Sequence, residues 1–200
     1  VANHTAWDNP WITAHPDWYT KDSTGKITDP IGSDGKPWGW TDVADLNYDN
    51  KEMRLAMIDA LTFWITECDV DGYRCDVAFE VPTDFWEEAR AALDSVKPVF
   101  MLAEAEMHAP DLFNKAFDAY YGWEMHHVFN KLVKGEIGTS EFSRILAHHD
   151  STTGGKAFEM NFIDSHDENA WNGTIEERLG NNWKPMAVMS YALPGIPMID

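Results

Sequence analysis

Positive charge is scarce in this chain of 200 residues, which has 15 Lys and Arg against 34 Asp and Glu and a formal net charge of −19. Nucleic acids and anionic membrane surfaces attract basic patches, so this charge balance argues against both as partners. No window approaches the roughly 18 consecutive apolar residues of a membrane-spanning helix. The sequence does not open on a basic segment followed by an apolar stretch, so we expect no signal peptide in it.

Cysteine is scarce as well, since Cys68 and Cys75 are the only two. Two cysteines give neither a disulfide framework nor a four-cysteine zinc site, and we expect no organic cofactor. Aromatic residues are abundant instead, with ten Trp, ten Phe and six Tyr. Acidic and aromatic surfaces suit neutral, hydroxyl-rich ligands such as sugars, although aromatic side chains more often fill protein cores.

The residue pattern changes near Asp49. Residues 5 to about 48 are irregular and rich in turn residues, whereas the later residues alternate between helical and strand-like patterns. We expect Asp49 to cap the first helix and Thr83 the second. The predicted helices cover 51–67, a segment after Thr83, about 110–120, 124–134, 139–149 and 183–192, and the predicted strands cover 73–78, 98–103, 157–163 and 196–199. Alternating strands and helices indicate parallel β/α units, and therefore an α/β fold with a barrel or a doubly wound sheet.

Acidic residues lie at the carboxyl ends of three of these strands, where parallel β/α units bind ligands. Arg74 and Asp76 are two residues apart, so a strand projects both side chains to the same side. A guanidinium beside a carboxylate favours the ionised form that a nucleophile needs. Glu104 follows a second, apolar strand, where burial favours the protonated form that a proton donor needs. The third strand end carries His166 and Asp167.

Three acids, one arginine and one histidine at strand ends are typical of a retaining glycosidase. In such an enzyme one carboxylate forms a covalent glycosyl intermediate, and a second carboxyl acts first as an acid and then as a base. The same residues also have structural interpretations, with Arg74 and Asp76 as an ion pair and Glu104 as a solvated loop residue. Glu106 is a second candidate for the acid. Spacing alone leaves these alternatives open.

Six short segments resemble, in order, the conserved regions of the α-amylase family, glycoside hydrolase family 13. The second, third and fourth regions are matched by GYRCDVAFE at 72–80, FMLAE at 100–104 and FIDSHD at 162–167. The end of the first region, the extra motif of domain B and the approach to the eighth barrel strand are matched by VANH at 1–4, ADLN at 44–47 and LPGIP at 193–197. The resemblance covers essentially the whole chain, and six segments in order are far more specific than any one of them.

This resemblance implies a partial (β/α)8 TIM barrel, from the end of barrel strand 3 to strand 8, with an irregular domain B inserted. Residues 1–4 would end barrel strand 3, residues 5–47 would form domain B, and residues 48–200 would form the barrel units from helix 3 to strand 8. A full barrel of this type takes about 250 residues. Because an unclosed barrel leaves an edge strand unpaired, self-association of the chain is an expected consequence.

The resemblance also implies retaining hydrolysis of α-glucosidic bonds, mainly α-1,4, in starch-like glucans or maltooligosaccharides. Asp76 would be the nucleophile and Glu104 the general acid/base. Asp167 would be the third carboxylate, which holds sugar hydroxyls and distorts the ring. Substrate binding would also involve three further residues, His4, Arg74 and His166.

Position 80 departs from the pattern of many amylases, which have His there. Glu80 makes the second region more similar to neopullulanases and cyclomaltodextrinases. We expect Glu80 either to bind the acceptor sugar or to fix the start of the helix at Thr83. Asn3 and Asp45 match family residues that often bind a structural Ca²⁺, a hard cation that prefers oxygen ligands. The alternative is that these two residues fix domain B to the barrel by hydrogen bonds.

Two other functions are compatible with the same residues. A glucosyl transferase or isomerase of the family would use the same carboxylates, with a sugar hydroxyl outcompeting water. A non-catalytic carbohydrate-binding homologue is expected to lack one of the three carboxylates, and all three are present. The sequence leaves the location of the protein open, with a secreted, periplasmic or cell-surface location favoured over the cytoplasm.

Overall fold

The computed structural model describes residues 3–32, 35–105, 109–152 and 156–200, and for 148–152 the backbone alone. Glu106, the second candidate for the acid, lies outside the described residues, as do the first two residues of the VANH segment. The chain forms two compact units, Val1–Glu104 and Ala105–Asp200.

The first unit contains a two-stranded antiparallel sheet of β1 (His4–Ala6) and β2 (Val43–Asp45), in which His4 lies opposite Asp45. The chain between these strands is mostly irregular, as its turn residues predict. It holds a short helix, α1 (Pro10–Ala14), and a 3₁₀ turn at Pro16–Trp18. The domain boundaries given above stay a prediction.

A long helix, α2 (Lys51–Cys68), follows this region and buries Met53 and three other apolar residues at helical spacing. The predicted cap is off by one residue. The side chain of Asn50, not Asp49, accepts hydrogen bonds from the backbone N–H groups of Glu52 and Met53. Both candidates are good capping residues, and only the backbone geometry at position 50 decides between them.

Two parallel strands, β3 (Gly72–Cys75) and β4 (Phe100–Ala103), are joined through α3 (Thr83–Asp94). Gly72 is required at the start of β3, because a Cβ there would lie 1.9 Å from the carbonyl oxygen of Phe100. Thr83 does not cap α3. Pro82 occupies the cap position, and Thr83 is already the first residue of the helix.

The second unit has three parallel strands in the order β5 (Ala119–Tyr121), β6 (Phe158–Phe162) and β7 (Ile196–Met198). Its helices are α4 (Trp123–Val133), α5 (Thr139–Thr152), α6 (His166–Trp171), α7 (Ile175–Leu179) and α8 (Trp183–Ala192). Met125, Phe129 and Ile163 belong to the apolar cluster at its core.

The helix predicted near 110–120 is wrong. A 3₁₀ turn at Pro110–Phe113 and the strand β5 occupy that segment. The error has a physical source, because Leu112, Phe113, Ala116 and Phe117 have helical spacing and are all buried, although the chain here is a turn. Every residue of β5 is buried as well, so the strand has no alternating pattern that would reveal it.

Both units therefore contain parallel strands connected through helices, as the alternating sequence pattern predicts. The fold is α/β, and the carboxyl end of each strand is followed by a loop or a short turn. Within the described residues, no helix is long and apolar enough to cross a membrane.

Candidate active site

The register of β3 and β4 places Asp76 beside Glu104. Cys75 and Ala103 are the last paired residues of the two strands, and the two acids follow them directly. The pairing continues past the strand ends, since the N–H of Glu104 donates to the carbonyl of Cys75 at 2.9 Å and the N–H of Ala78 donates to the carbonyl of Glu104 at 3.0 Å. Adjacent strands lie about 4.8 Å apart, so the two acidic residues face each other at close range.

The guanidinium of Arg74 contacts both carboxylates. Its Nη1 atom donates to Oδ1 of Asp76, and its Nη2 atom lies 3.0 Å from Oε1 of Glu104. The side chains are partly shielded, with exposed fractions of 28% for Arg74, 33% for Asp76 and 15% for Glu104. Ion pairs that water reaches less easily interact more strongly than fully exposed ones, so Arg74 fixes the two acids as a pair.

Cys75 is the last residue of β3, between Arg74 and Asp76 in the chain, and is fully buried, as the alternation of side chains predicts. Burial raises the pKa of its thiol to about 12. The thiol therefore stays protonated at neutral pH, and the reactive thiolate is suppressed.

The backbone at Val77 has an unusual conformation, with φ at +45°. A β-branched residue rarely adopts this left-handed region, and such strain is concentrated at functional sites. Here it accompanies a specific contact, because the N–H of Val77 donates to Oε2 of Glu104 at 2.8 Å. Nearby, the indole N–H of the buried Trp86 donates to the carbonyl of Ala78 at 2.9 Å and anchors the same turn to α3.

His4 lies on the other side of Asp76, with Nε2 3.8 Å from Oδ2. Its Nδ1 atom is 2.7 Å from the amide oxygen of the buried Asn3. Because that oxygen only accepts hydrogen bonds, the proton of the neutral ring resides on Nδ1. Burial lowers the pKa of His4, although the charge of Asp76 opposes the effect, so the ring is neutral at pH 7.

The candidate calcium ligands Asn3 and Asp45 belong to neighbouring chain segments, since the N–H of Leu46 donates to the carbonyl of Asn3 at 2.8 Å. Both are buried. The pKa of Asp45 is raised to about 6, mainly by burial; a hydrogen bond from Thr20 opposes this effect, and the charges of Glu80 and Asp29 add to it. Across the residues that the structure describes, no three His, Cys, Asp or Glu side chains converge as a metal site.

His166 and Asp167 lie in the second unit, after β6, at the start of α6. Ser165 caps this helix, with its side chain accepting from the N–H of Glu168 at 3.2 Å. Nε2 of His166 is 3.4 Å from Oδ2 of Asp167, and both side chains are well exposed. The structure thus joins His4, Arg74, Asp76 and Glu104 in one cluster, while the convergence of Asp167 on that cluster stays a prediction.

A buried ionic cluster next to Asp167 was not foreseen from the sequence. The carboxylate of Glu168 lies 3.2 Å from Nε2 of His126 and 3.6 Å from Nη1 of Arg178, and it accepts a hydrogen bond from Asn172 at 3.0 Å. Burial lowers the pKa of His126, although the charge of Glu168 opposes the effect. These contacts fix the first turn of α6, which carries Asp167. They join residues far apart in the chain, so no local motif could have revealed them.

Paired carboxylates at the carboxyl ends of adjacent parallel strands are typical of glycoside hydrolases with a β/α fold. Residues 38–200 match the family model described as alpha-amylase, catalytic domain. The chain belongs to the α-amylase family, and its α/β fold is that of a partial barrel of this family.

Known proteins similar to this chain include a cyclomaltodextrinase and two alpha-amylases. A cyclomaltodextrinase from Geobacillus thermopakistaniensis is 34% identical over 127 residues, which is 61% of this chain and 22% of that protein. An alpha-amylase from Lactobacillus plantarum superposes with a TM-score of 0.84 at 29% identity, over 98% of this chain and 48% of that one. A maltogenic alpha-amylase from Thermotoga neapolitana superposes with a TM-score of 0.81 at 30% identity, over 100% of this chain and 44% of that one. The chain thus spans less than half the length of these proteins.

Proposed function

We propose that this protein cleaves α-glucosidic bonds, mainly α-1,4, in starch-like glucans or maltooligosaccharides, with retention of configuration. The observation that carries the proposal is the pair of opposed carboxylates, Asp76 and Glu104, bridged by Arg74. Retaining glycosidases have carboxyl groups about 5–5.5 Å apart, whereas inverting ones leave room for a water between them. Opposed positions on adjacent strands favour the shorter separation. The names of the similar proteins, a cyclomaltodextrinase and two amylases, support the same substrate class.

In the proposed mechanism, the carboxylate of Asp76 attacks the anomeric carbon, and Glu104 gives a proton to the departing glycosidic oxygen. A covalent glycosyl intermediate forms on Asp76 as the glycosidic bond breaks. Glu104 then takes a proton from water, which attacks the anomeric carbon and releases Asp76. Arg74 orients the carboxyl group of Asp76 for this attack through the contact between its Nη1 atom and Oδ1.

Glu104 must carry a proton before the first step. Its contacts with Arg74 and the N–H of Val77 favour the ionised carboxylate, which is the form that the second step uses. Bound substrate would displace water from the site and draw Arg74 towards Asp76. This would weaken the contact between Arg74 and Glu104 and favour protonation of Glu104.

We assign the remaining roles by position. Asp167 and His166 would hold sugar hydroxyls, and the neutral His4 would contact the sugar ring beside Asp76.

The direct test of this proposal is the configuration of the first product. The protein as its gene encodes it is incubated with maltoheptaose or a cyclodextrin, and proton NMR follows the anomeric signals. We expect the α-anomer to appear first and to mutarotate later. Initial release of the β-anomer would contradict the retaining mechanism, and an intact substrate after long incubation would contradict the function itself.

The second candidate function is transfer of a glucosyl unit to a sugar acceptor, and the observation that favours it is the position of Glu80. Glu80 follows the strained turn at Val77, to whose carbonyl its N–H donates at 2.9 Å, and its charge reaches Asp45. If Glu80 binds the acceptor, Glu80→Gln and Glu80→His should lower the ratio of transfer to hydrolysis products from maltotriose up to about tenfold, since a hydrogen bond to a charged group contributes about 1.5–3 kcal/mol. Product chromatography measures the ratio.

Glu67→Gln is the matched control, because Glu67 is exposed on α2 and belongs to the same unit. A changed melting temperature with an unchanged product ratio would assign Glu80 a structural role in the turn before α3. The same outcome would remove the acceptor-binding interpretation.

Calcium binding by Asn3 and Asp45 remains a proposal. Two buried oxygen-bearing side chains on neighbouring segments suit a hard cation. A bound cation would also offset the negative charges of Glu80 and Asp29, which act on Asp45. Backbone carbonyls or water would have to complete the coordination. If the site binds Ca²⁺, added calcium should raise the melting temperature by several degrees over a chelated sample, and Asp45→Asn should abolish that rise. Equal melting temperatures with calcium and with chelator would contradict calcium binding at this site.

The pH dependence gives a second readout for the same site. Folding raises the pKa of Asp45 to about 6, above its ordinary value. The folded state therefore disfavours the ionised form, and without calcium the free energy of unfolding should fall by roughly 2 kcal/mol as pH rises from about 4 through 6. Asp45→Asn should flatten this part of the pH profile in denaturant titrations. An unchanged slope in the variant would exclude Asp45 as its source.

A further inference from the structure

Two neighbouring indoles beside the candidate active site, Trp38 and Trp40, have no role in the mechanism above. Trp38 and Trp40 stack on each other, with ring centroids 5.4 Å apart and 14° between their planes. Trp38 is 47% exposed. A third indole, Trp7, is exposed like Trp38 and lies close to them, since its N–H donates to the carbonyl of Thr41 at 2.9 Å. Clustered aromatic surface left in water generally marks a binding site, whereas single exposed residues do not.

The backbone holds the stacked pair in place. Gly39, between the two indoles, has φ at +80°, a conformation that residues with a side chain rarely adopt. Its N–H donates to Oδ2 of Asp29 at 3.0 Å, and the N–H of Trp38 donates to the carbonyl of Pro30 at 2.9 Å. The rings are therefore positioned by a fixed turn while one of them remains half exposed, which is the arrangement of a preorganised ligand surface.

The pair is connected to the candidate nucleophile through one side chain. The edge of Trp40 contacts the ring of His4, with centroids 6.0 Å apart and an interplanar angle of 70°. His4 is in turn 3.8 Å from Asp76. A charge also lies nearby, because Asp42 acts electrostatically on His4. The contacts thus lead from Asp76 through His4 and Trp40 to Trp38.

The chemistry of this surface suits a neutral sugar ring. Flat indole faces bind the C–H faces of pyranose rings, and the carboxylates and imidazole at the rim bind hydroxyl groups. Nucleotides are disfavoured, since the chain has a net charge of −19 that repels phosphate. We infer that Trp38 and Trp40 form a platform for a glucosyl unit of an α-glucan, beyond the unit that is bonded to Asp76 during cleavage. This inference rests on the proposed function for the identity of the sugar.

A platform at that place would act on long substrates and not on short ones. A glucan must extend past His4 and Trp40 before one of its rings reaches Trp38. Removing the Trp38 ring should therefore weaken binding of long chains and leave short ones unaffected. Because the ring does not touch Asp76 or Glu104, it should change KM rather than kcat.

The experiment compares Trp38→Ala with Trp38→Phe, which keeps a flat ring, on maltotriose and on maltoheptaose. We expect Trp38→Ala to raise KM for maltoheptaose about tenfold, equivalent to about 1.4 kcal/mol, with kcat and the KM for maltotriose within about twofold of the wild type. Trp38→Phe should restore most of the loss. Trp64→Ala is the matched control, because Trp64 is 52% exposed on α2 and contacts Phe63 in edge-to-face geometry; it should behave as the wild type.

The outcomes separate this inference from the proposed function. Suppose that the protein cleaves glucans. If Trp38→Ala then has the wild-type KM for both substrates, or a KM that is raised equally for both, the platform is wrong and the proposed function stands. If the wild type cleaves no glucan, calorimetric titration with maltoheptaose still decides the platform. Binding by the wild type that is lost in Trp38→Ala and kept in Trp64→Ala would support it, and binding by all three variants, or by none, would overturn it.

Discussion

Asp76→Asn should abolish nearly all turnover, by about 10⁴-fold or more in kcat, since removal of a nucleophile leaves only the contributions of binding and positioning. The amide that replaces the carboxylate has nearly the same shape but is a poor nucleophile, so no covalent intermediate can form. Glucan binding should persist, because the aromatic and hydroxyl-binding groups around position 76 are unchanged. The measurements are kcat on maltoheptaose and, by calorimetry, the affinity for the same sugar.

Asp84→Asn provides the matched control. Asp84 also pairs with an arginine, Arg54, at 2.9 Å, but it does so on the exposed surface of α3. We expect its kcat to stay within about twofold of the wild type. Wild-type activity in Asp76→Asn would exclude Asp76 as the nucleophile. A loss of activity with loss of the folded circular dichroism spectrum would instead assign the Arg74–Asp76 pair a structural role.

The sequence made Asp76 and Glu104 recognisable because each lies at the carboxyl end of a short strand. Once β3 and β4 are known to be parallel neighbours with Cys75 opposite Ala103, their opposition follows from register alone. The sequence could not show that Glu104 also accepts a hydrogen bond from Val77. That contact accompanies a left-handed backbone at a valine, which runs against the local preference of the residue.

The predictions from the sequence failed where tertiary contacts override the local preferences of the residues. Asn50 and Asp49 are equally good caps by residue type, and the helix start is decided by backbone geometry. The segment before β5 has helical spacing of apolar residues, yet it is a turn whose side chains are buried by neighbouring elements. The partnership of His126 and Glu168 spans 42 positions, so only the folded chain brings the two groups together.

The stacked pair of Trp38 and Trp40 could be predicted only in part from the sequence. The abundance of tryptophan suggested sugar binding, but composition does not say which rings are exposed. Trp18 is buried and Trp38 is not, although both lie in the same irregular segment. The difference arises from the turn at Gly39 and its hydrogen bond to Asp29, which hold the Trp38 backbone at the surface.

Arg74→Lys should lower kcat about 10²-fold with little change in the free energy of unfolding. Lysine keeps the positive charge but has a single ammonium group, whereas the planar guanidinium of Arg74 presents separate nitrogen atoms to Asp76 and Glu104. One of the two carboxylates would lose its donor, and both would move from their opposed positions. Since a displacement of about 1 Å at reacting groups can cost roughly 10²-fold in rate, the effect should appear in kcat more than in KM.

Arg54→Lys tests whether such an effect belongs to the site. Arg54 likewise bridges two carboxylates, Asp84 at 2.9 Å and Glu88 at 3.1 Å, but joins α2 to α3 away from the strand ends. The same substitution there should leave kcat within about twofold, and ion pairs whose carboxylates are exposed, as those of Asp84 and Glu88 are, contribute only about 0–1 kcal/mol to stability. Steady-state kinetics and thermal melting of both variants give the comparison. A near-neutral rate in Arg74→Lys would mean that the bridge is structural, and that the opposition of Asp76 and Glu104 is maintained by the strand register alone.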